Sequence, residues 1–167
     1  TVTAIGARCF YGCGSITNIV IPNTIKEIGD EAFYNCNGLT SITIPEGVTK
    51  IPNNCFSSCS NLASVTLPTT ITELGNYIFD NCYILKSLSI PDAVTKLGNG
   101  CFRWTGIETL TIPANVTSIG SDCFNSGNLK KLRMLPTTPP TCDGVLGLSS
   151  NATIYVDEAA IETYKEA

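Results

Sequence analysis

Apolar and polar positions follow one another in a motif that returns about every 23 residues. Phenylalanine marks it most sharply, at Phe10, Phe33, Phe56, Phe79, Phe102 and Phe124, with gaps of 23, 23, 23, 23 and 22 residues. Other apolar columns keep the interval. Val2, Ile25, Val48, Ile71, Val94 and Val116 form one, and Ile5, Ile28, Ile51, Leu74, Leu97 and Ile119 form the next. After each phenylalanine come Ile16, Leu39, Leu62, Leu85, Ile107 and Leu129, then Ile19, Ile42, Val65, Leu88, Leu110 and Leu132. Ile21, Ile44, Leu67, Ile90 and Ile112 close the motif, each followed by proline. Self-similarity at this interval marks a stack of coils, each too small to bury its own apolar edge and each completed by its neighbours.

Within one coil, Leu39-Thr-Ser-Ile42-Thr-Ile44 ends in period-two alternation, which predicts a half-buried strand. Pro45 stops it, because proline has no N–H for a ladder. Val48-Thr-Lys-Ile51 predicts a second short strand or extended run. Too few residues remain around Ala32-Phe33 for a longer helix, so a tight turn or a single helical turn is expected there. The fold class that follows is a strand-rich α/β repeat, with parallel strands about 4.8 Å apart. Glycines at 6, 29, 75, 98 and 120 follow one apolar column, with Pro52 as the exception, and are expected at turns with positive φ.

Six coils of 22–23 residues occupy 1–136, and 137–167 are expected to form a C-terminal cap. Pro136-Thr-Thr-Pro139-Pro140 is stiff and extended. Thr153 to Val156 predicts a last strand, and Asp157 is a natural N-cap for a short helix. Ile161 and Tyr164, three apart on one face, are expected to close the core's open end. No matching cap precedes the first coil. Either further coils of a longer parent or edge-to-edge self-association at the N-terminus is therefore expected. Thr1 opens almost directly onto the first repeat without a signal peptide or initiator methionine, which suits a segment of a longer protein.

Composition narrows the function classes. Charged residues make up 14% and the net charge is −4, which argues against a broad basic surface for nucleic acid. No apolar run approaches a membrane span, so no membrane insertion is expected of this segment. One column runs Ala4, Glu27, Lys50, Glu73, Lys96, Ser118. Its alternating signs place opposite charges on adjacent strands, where a slip by one repeat would set like charges together. Such exposed pairs are weak, about 0.5 kcal/mol each, so the column reads as register control.

Nine cysteines fall mostly in two columns. Cys13, Cys36, Cys59 and Cys82 stand three residues after phenylalanine. Cys9, Cys55, Cys101 and Cys123 stand just before it, where Ala32 and Ile78 also fit. A position that accepts Cys, Ala or Ile is an inward apolar site, and free cysteine behaves there as a small hydrophobe. Buried thiols are the favoured reading, with adjacent-coil disulfides as the alternative. The chain has no histidine, which removes the usual general base and the commonest metal ligand. No phosphate-cradling glycine loop appears, and Asp92, Glu108, Asp122 and Asp143 are scattered over different coils. No catalytic residue, cofactor or metal is expected.

The stretch Ile28-Gly29-Asp-Glu-Ala32-Phe33-Tyr-Asn-Cys36-Asn-Gly-Leu39-Thr-Ser-Ile42-Thr-Ile44-Pro45-Glu-Gly-Val48 resembles the BspA-type leucine-rich repeat. The resemblance extends from Val2 to Pro136, and the ending with Ile154-Tyr155-Val156 and Tyr164-Lys165 is similar to the C-terminal closure of such proteins. It implies a right-handed leucine-rich-repeat solenoid. It also implies a bacterial cell-surface or secreted parent, with adhesion or host-macromolecule binding and no enzymatic activity. The fifth and sixth coils depart from the pattern: each is one residue short after its phenylalanine, and Thr105 and Gly127 stand near the missing cysteine. Met134 replaces isoleucine in the sixth. Asn115-Val-Thr117 and Asn151-Ala-Thr153 match a glycosylation sequon, which is normally silent in a bacterial protein.

A binding surface is expected on the outward strand positions, for an unidentified extracellular protein or glycan. Two such columns carry Ser64, Ser87, Thr109 and Lys131, and Thr66, Ser89, Thr111 and Arg133. Small hydroxyls dominate, whereas hot spots are enriched in Trp, Tyr and Arg. Only the C-terminal end supplies those: Arg103 and Trp104 in the fifth coil, with Lys130, Lys131 and Arg133 in the sixth. One reading has Trp104 packed over its shortened turn and the basic residues solvated; the sharper one joins them in a basic–aromatic contact site. The alternative function is a rigid spacer displaying other domains of the parent protein.

Overall fold

A computed structural model describes residues 1–166. The chain winds into a parallel-strand solenoid of about seven turns that ends in one short helix. Each full coil passes through three sides: a narrow sheet of two-residue strands, a turn bearing the phenylalanine, and a wide sheet of three- or four-residue strands. The region around Ala32-Phe33 and its equivalents is turn in every coil, without a helical turn.

The narrow sheet pairs Ala4–Ile5 with Glu27–Ile28, and then stacks Lys50–Ile51, Glu73–Leu74, Lys96–Leu97, Ser118–Ile119 and Thr141–Cys142 in one run. The break between the two parts falls at Pro52. Elsewhere the residue in that column donates its N–H to the preceding coil, as Gly29 does to the Ile5 carbonyl at 2.9 Å and Gly98 to Leu74 at 2.8 Å. Proline has no N–H to give.

Those glycines do not have positive φ, so the turn expectation for them is corrected. They are small because coils meet there: a Cβ on Gly29, Gly98 or Gly120 would fall inside contact distance of backbone atoms of the preceding coil. Left-handed backbone lies instead on either side of each phenylalanine. Arg8, Glu31, Asn54, Tyr77, Gly100 and Asp122 precede it by two residues, and Gly12, Asn35, Ser58, Asn81 and Trp104 follow it by two, all with φ between 53° and 69°. This conformation costs a non-glycine residue about 1–2 kcal/mol. It aims the N–H at the next coil: Glu31 donates to Asn53, Asn54 to Asn76 and Tyr77 to Asn99, at 2.7–3.0 Å.

The six phenylalanines stack with near-parallel rings, their centroids 5.2, 5.5, 5.9, 6.0 and 6.2 Å apart from first pair to last. All but Phe10 are buried. Phe10, Cys13, Ile16 and Ile19 of the first coil are only half covered. Cys36, Cys55, Cys59, Cys82, Cys101 and Cys123 are buried free thiols, while Cys9 and Cys142 are exposed. Cys36, Cys59 and Cys82 each donate S–H to the carbonyl of the preceding coil's phenylalanine at 3.0–3.2 Å. In the shortened coils a hydroxyl takes over. Thr105 caps its own Phe102 carbonyl at 2.9 Å and buried Ser126, not Gly127, donates to Thr105 at 2.8 Å.

The solenoid continues past Pro136 although the sequence period does not. Thr141–Cys142 extends the narrow sheet, Phe124 donates to Leu146 on the turn side, and Thr153–Tyr155 extends the wide sheet. Asp157 accepts from Ala159 and caps a 3-10 turn, Glu158–Ala160, which leads into the helix Ile161–Glu166. Ala160 is buried and Tyr164 packs on the core, its hydroxyl donating to Pro136 at 3.0 Å. Ile161, expected beside Tyr164, stays half exposed outside the core cluster.

In the charge column, Lys50 closes on Glu73 at 3.3 Å. Lys96 stands beside Glu73 in register without forming a bridge. One opposite-charge pair of the column is thus in contact and the next is only in register.

Candidate interaction surface

The wide sheet presents the outward columns, and it is interrupted. Ser41–Thr43 pairs with Ser64–Thr66, and Thr109–Ile112 pairs with Lys131–Met134, which pairs with Thr153–Tyr155. Between these two ladders lies Ser87–Ile90 of the fourth coil, whose main chain hydrogen-bonds to neither neighbour. A shallow concavity of about 560 Å³ opens at this interruption. Ser64, Ser87, Ser89, Thr109 and Thr111 line it, with Leu88, Asp92 and Leu135 adding apolar and acidic character. Leu135, the residue inserted before Pro136, is exposed there. Thr66 sits on the same face without lining the concavity.

Lys131 and Arg133 continue these two columns toward the C-terminus: Lys131 is in register with Thr109 and Arg133 with Thr111. Arg133 is also in register with Tyr155, which is exposed. An arginine–tyrosine pair thus borders the hydroxyl shelf, and Tyr155 was missed as a site residue. Its signal was the alternation Thr153-Ile-Tyr155, which turns Tyr155 outward once that strand is placed beside Lys131–Met134.

The joined basic–aromatic site does not assemble. Arg103 and Trp104 belong to the turn side, away from the strand that carries Lys131 and Arg133. The Arg103 guanidinium is held by Asp80, with Nε to Oδ1 at 2.8 Å and Nη2 to Oδ2 at 3.2 Å, and lies over the Tyr77 ring at 5.5 Å. That carboxylate is the main cause of a guanidinium pKa raised above its ordinary value. Arg103 is thereby committed within the fold. Trp104 is exposed over 55% of its surface. Lys130 reaches Glu108 at 2.9 Å, and the ammonium holds the Glu108 carboxyl below the usual carboxylate range.

Among the described residues no group of three or more metal-ligating side chains converges, and no helix is long and apolar enough to cross a membrane.

A family model for the BspA type leucine rich repeat region matches residues 3–131 in six copies. The chain belongs to the BspA-type leucine-rich repeat family. This family's repeat is a protein-interaction fold and typically a non-enzymatic binding scaffold. No curated protein matches the chain's sequence. Among solved structures, the Treponema pallidum leucine-rich repeat protein is similar at 25% identity and a TM-score of 0.84, over 99% of this chain and 76% of that one. A leucine-rich repeat protein from Bacteroides ovatus shares 25% identity at a TM-score of 0.70, over 95% of this chain and 53% of that one. A leucine-rich cell surface protein from Faecalibacterium prausnitzii shares 25% identity at a TM-score of 0.64, over 93% and 51%. The chain spans about half the length of the Bacteroides and Faecalibacterium proteins.

Proposed function

We propose that this chain is the interaction module of a bacterial cell-surface or secreted protein, and that it binds an extracellular protein through the wide sheet. The observation that carries this reading is the interrupted sheet face. Its hydroxyl shelf, with unpaired main chain at Ser87–Ile90, is bordered by Lys131, Arg133 and Tyr155. Open backbone groups and small hydroxyls accept a partner's polar groups, while Arg and Tyr are the residue types that concentrate binding energy. The basic rim favours a partner with acidic groups at the contact. Surface localisation is supported by the description of the Faecalibacterium relative as a cell surface protein.

The test is a binding screen of immobilised chain against host extracellular-matrix and receptor ectodomains. A partner bound by the wild type should lose about 10–100-fold in affinity with Arg133→Glu or Tyr155→Ala, equivalent to roughly 1.4–2.8 kcal/mol. Retained affinity in both variants sinks the sheet-face reading. A rigid spacer is the second reading, favoured by the inter-coil hydrogen bonds that join every turn on the phenylalanine side. It gains if no ectodomain binds while a longer parent loses display of its other domains when coils are deleted.

A further inference from the structure

Trp104 is the single tryptophan of the chain, and folding does not explain its place. It stands at φ 56° in a column that other coils fill with Gly12, Asn35, Ser58 and Asn81, residues that tolerate left-handed backbone far better than a bulky aromatic does. More than half of its surface is exposed, so it contributes little to the core. A strained position kept for an exposed aromatic points to a use outside the fold.

Its surroundings suggest the use. Tyr83, also about half exposed, precedes it by one coil. The fifth coil has only Gly106 where the fourth has Tyr83 and Ile84, and a Cβ on Gly106 would strike the Tyr83 carbonyl. The missing residues in coils five and six leave a notch of about 210 Å³ lined by Tyr83, Trp104, Asn125, Ser126, Gly127 and Asn128. Gly127 faces open space there. The Tyr83 hydroxyl donates to Asn81, and the Asn125 and Asn128 amides donate to Asp122 and Thr105, so both asparagine Oδ1 atoms and the tyrosine oxygen remain available as acceptors. Among the described residues the Trp104 indole N–H meets no acceptor. No charged side chain lines the notch, and neighbouring Arg103 is neutralised by Asp80.

We infer that this notch is a binding subsite for a neutral sugar ring. Two aromatic faces suit the C–H face of a pyranose, whose hydroxyls then donate to the free amide and phenol oxygens and accept from the indole N–H. The lining's neutrality disfavours anionic sugars. The notch lies on the turn side, so it is independent of the protein-binding face proposed above.

Because Trp104 is the only indole, its fluorescence reads the site directly. The intact chain is titrated with glucose, galactose, mannose, N-acetylglucosamine and their short oligomers, to about 10 mM, beyond which a single subsite is too weak to matter. A saturable blue shift with at least one of them is expected, weakened at least tenfold in Tyr83→Ala, which keeps the reporter. On a glycan array, Trp104→Asn should lose binding and Arg133→Glu should keep it. Trp104→Asn should also melt at or above the wild-type temperature, since asparagine suits this column. No saturable response to any of these sugars, unchanged affinity in Tyr83→Ala, or a response to charged sugars alone overturns the assignment. So does a lowered melting temperature in Trp104→Asn, which would make the indole a packing residue.

Discussion

The turn side and the wide sheet are built from the same coils, yet they hold together differently. On the turn side every phenylalanine N–H from Phe10 to Phe124 donates to the next coil, at 2.8–3.1 Å, and the rings beneath form one stack. On the wide sheet the ladder lapses at Asn18–Ile21 and again at Ser87–Ile90. The contrast teaches that stacking is secured by turns and phenylalanines, with the narrow sheet as support. The wide sheet can therefore leave backbone groups unpaired without loosening the coils, as the binding proposed for that face requires.

The sharpest way to break that comparison is a pair of truncations. Phe56→Ala, in the middle of the stack, should cost about 3–5 kcal/mol by denaturant unfolding. Leu88→Ala, half-buried on the interrupted sheet, should cost about 1 kcal/mol. Similar costs would show that the two sides share the load.

Alkaline unfolding comes next, since four buried thiols act together. Burial pushes Cys59 up to about 12 from an ordinary 9.0, and raises Cys55, Cys82 and Cys101 well above the same value. A raised folded-state pKa means that the folded chain holds the proton more tightly. That stability is whole below about pH 9 and is lost as pH climbs toward 12. The melting temperature should fall across that window, and Cys59→Ala should flatten the fall. A flat wild-type profile would contradict the thiols' burial.

Gly98→Ala should cost about 1–3 kcal/mol, because the added methyl meets the Gly75 backbone and the coils must part. A neutral result would show that the narrow sheet has slack. Arg103→Ala should cost about 1–3 kcal/mol by leaving the Asp80 carboxylate, with 10% of its side chain exposed, without its counter-charge. Its sheet-face binding should be unchanged, which separates this structural arginine from Arg133. Smallest of all, Lys50→Ala should cost about 0.5 kcal/mol or less, since both partners of that pair are exposed. A loss above about 1 kcal/mol would mean that the charge column holds the coils by contact.

The columns made the coils legible: Phe33, Leu39, Ile42 and Val48 are buried as their spacing predicts, as are their counterparts in later coils apart from half-buried Val65 and Leu88, whereas Val2, Phe10, Ile16 and Ile19 of the first coil are not. The buried thiols were equally readable, because Ala32 and Ile78 alternate with cysteine in one column. The candidate site was legible only in part. Ser87, Thr109, Lys131 and Arg133 could be assigned to one face from alternation, but Arg103 and Trp104 could not be kept off it. Nearness to the C-terminus in sequence says little about which side of a coil a residue occupies. Tyr155 was hidden for the converse reason, since its strand lies beyond the last recognisable period.

Sequence alone determined the repeat, its core and its strand faces, because burial at a fixed interval must be written into every coil. Tertiary structure alone decided where neighbouring coils meet. Left-handed backbone at Glu31, Tyr77 and Trp104 and a seventh turn without a motif depend on hydrogen bonds between residues some 21–24 positions apart, and the lapse at Ser87–Ile90 is where such bonds are missing. Those partners exist only once one coil lies against the next, so no local preference of Glu, Tyr or Trp could announce them.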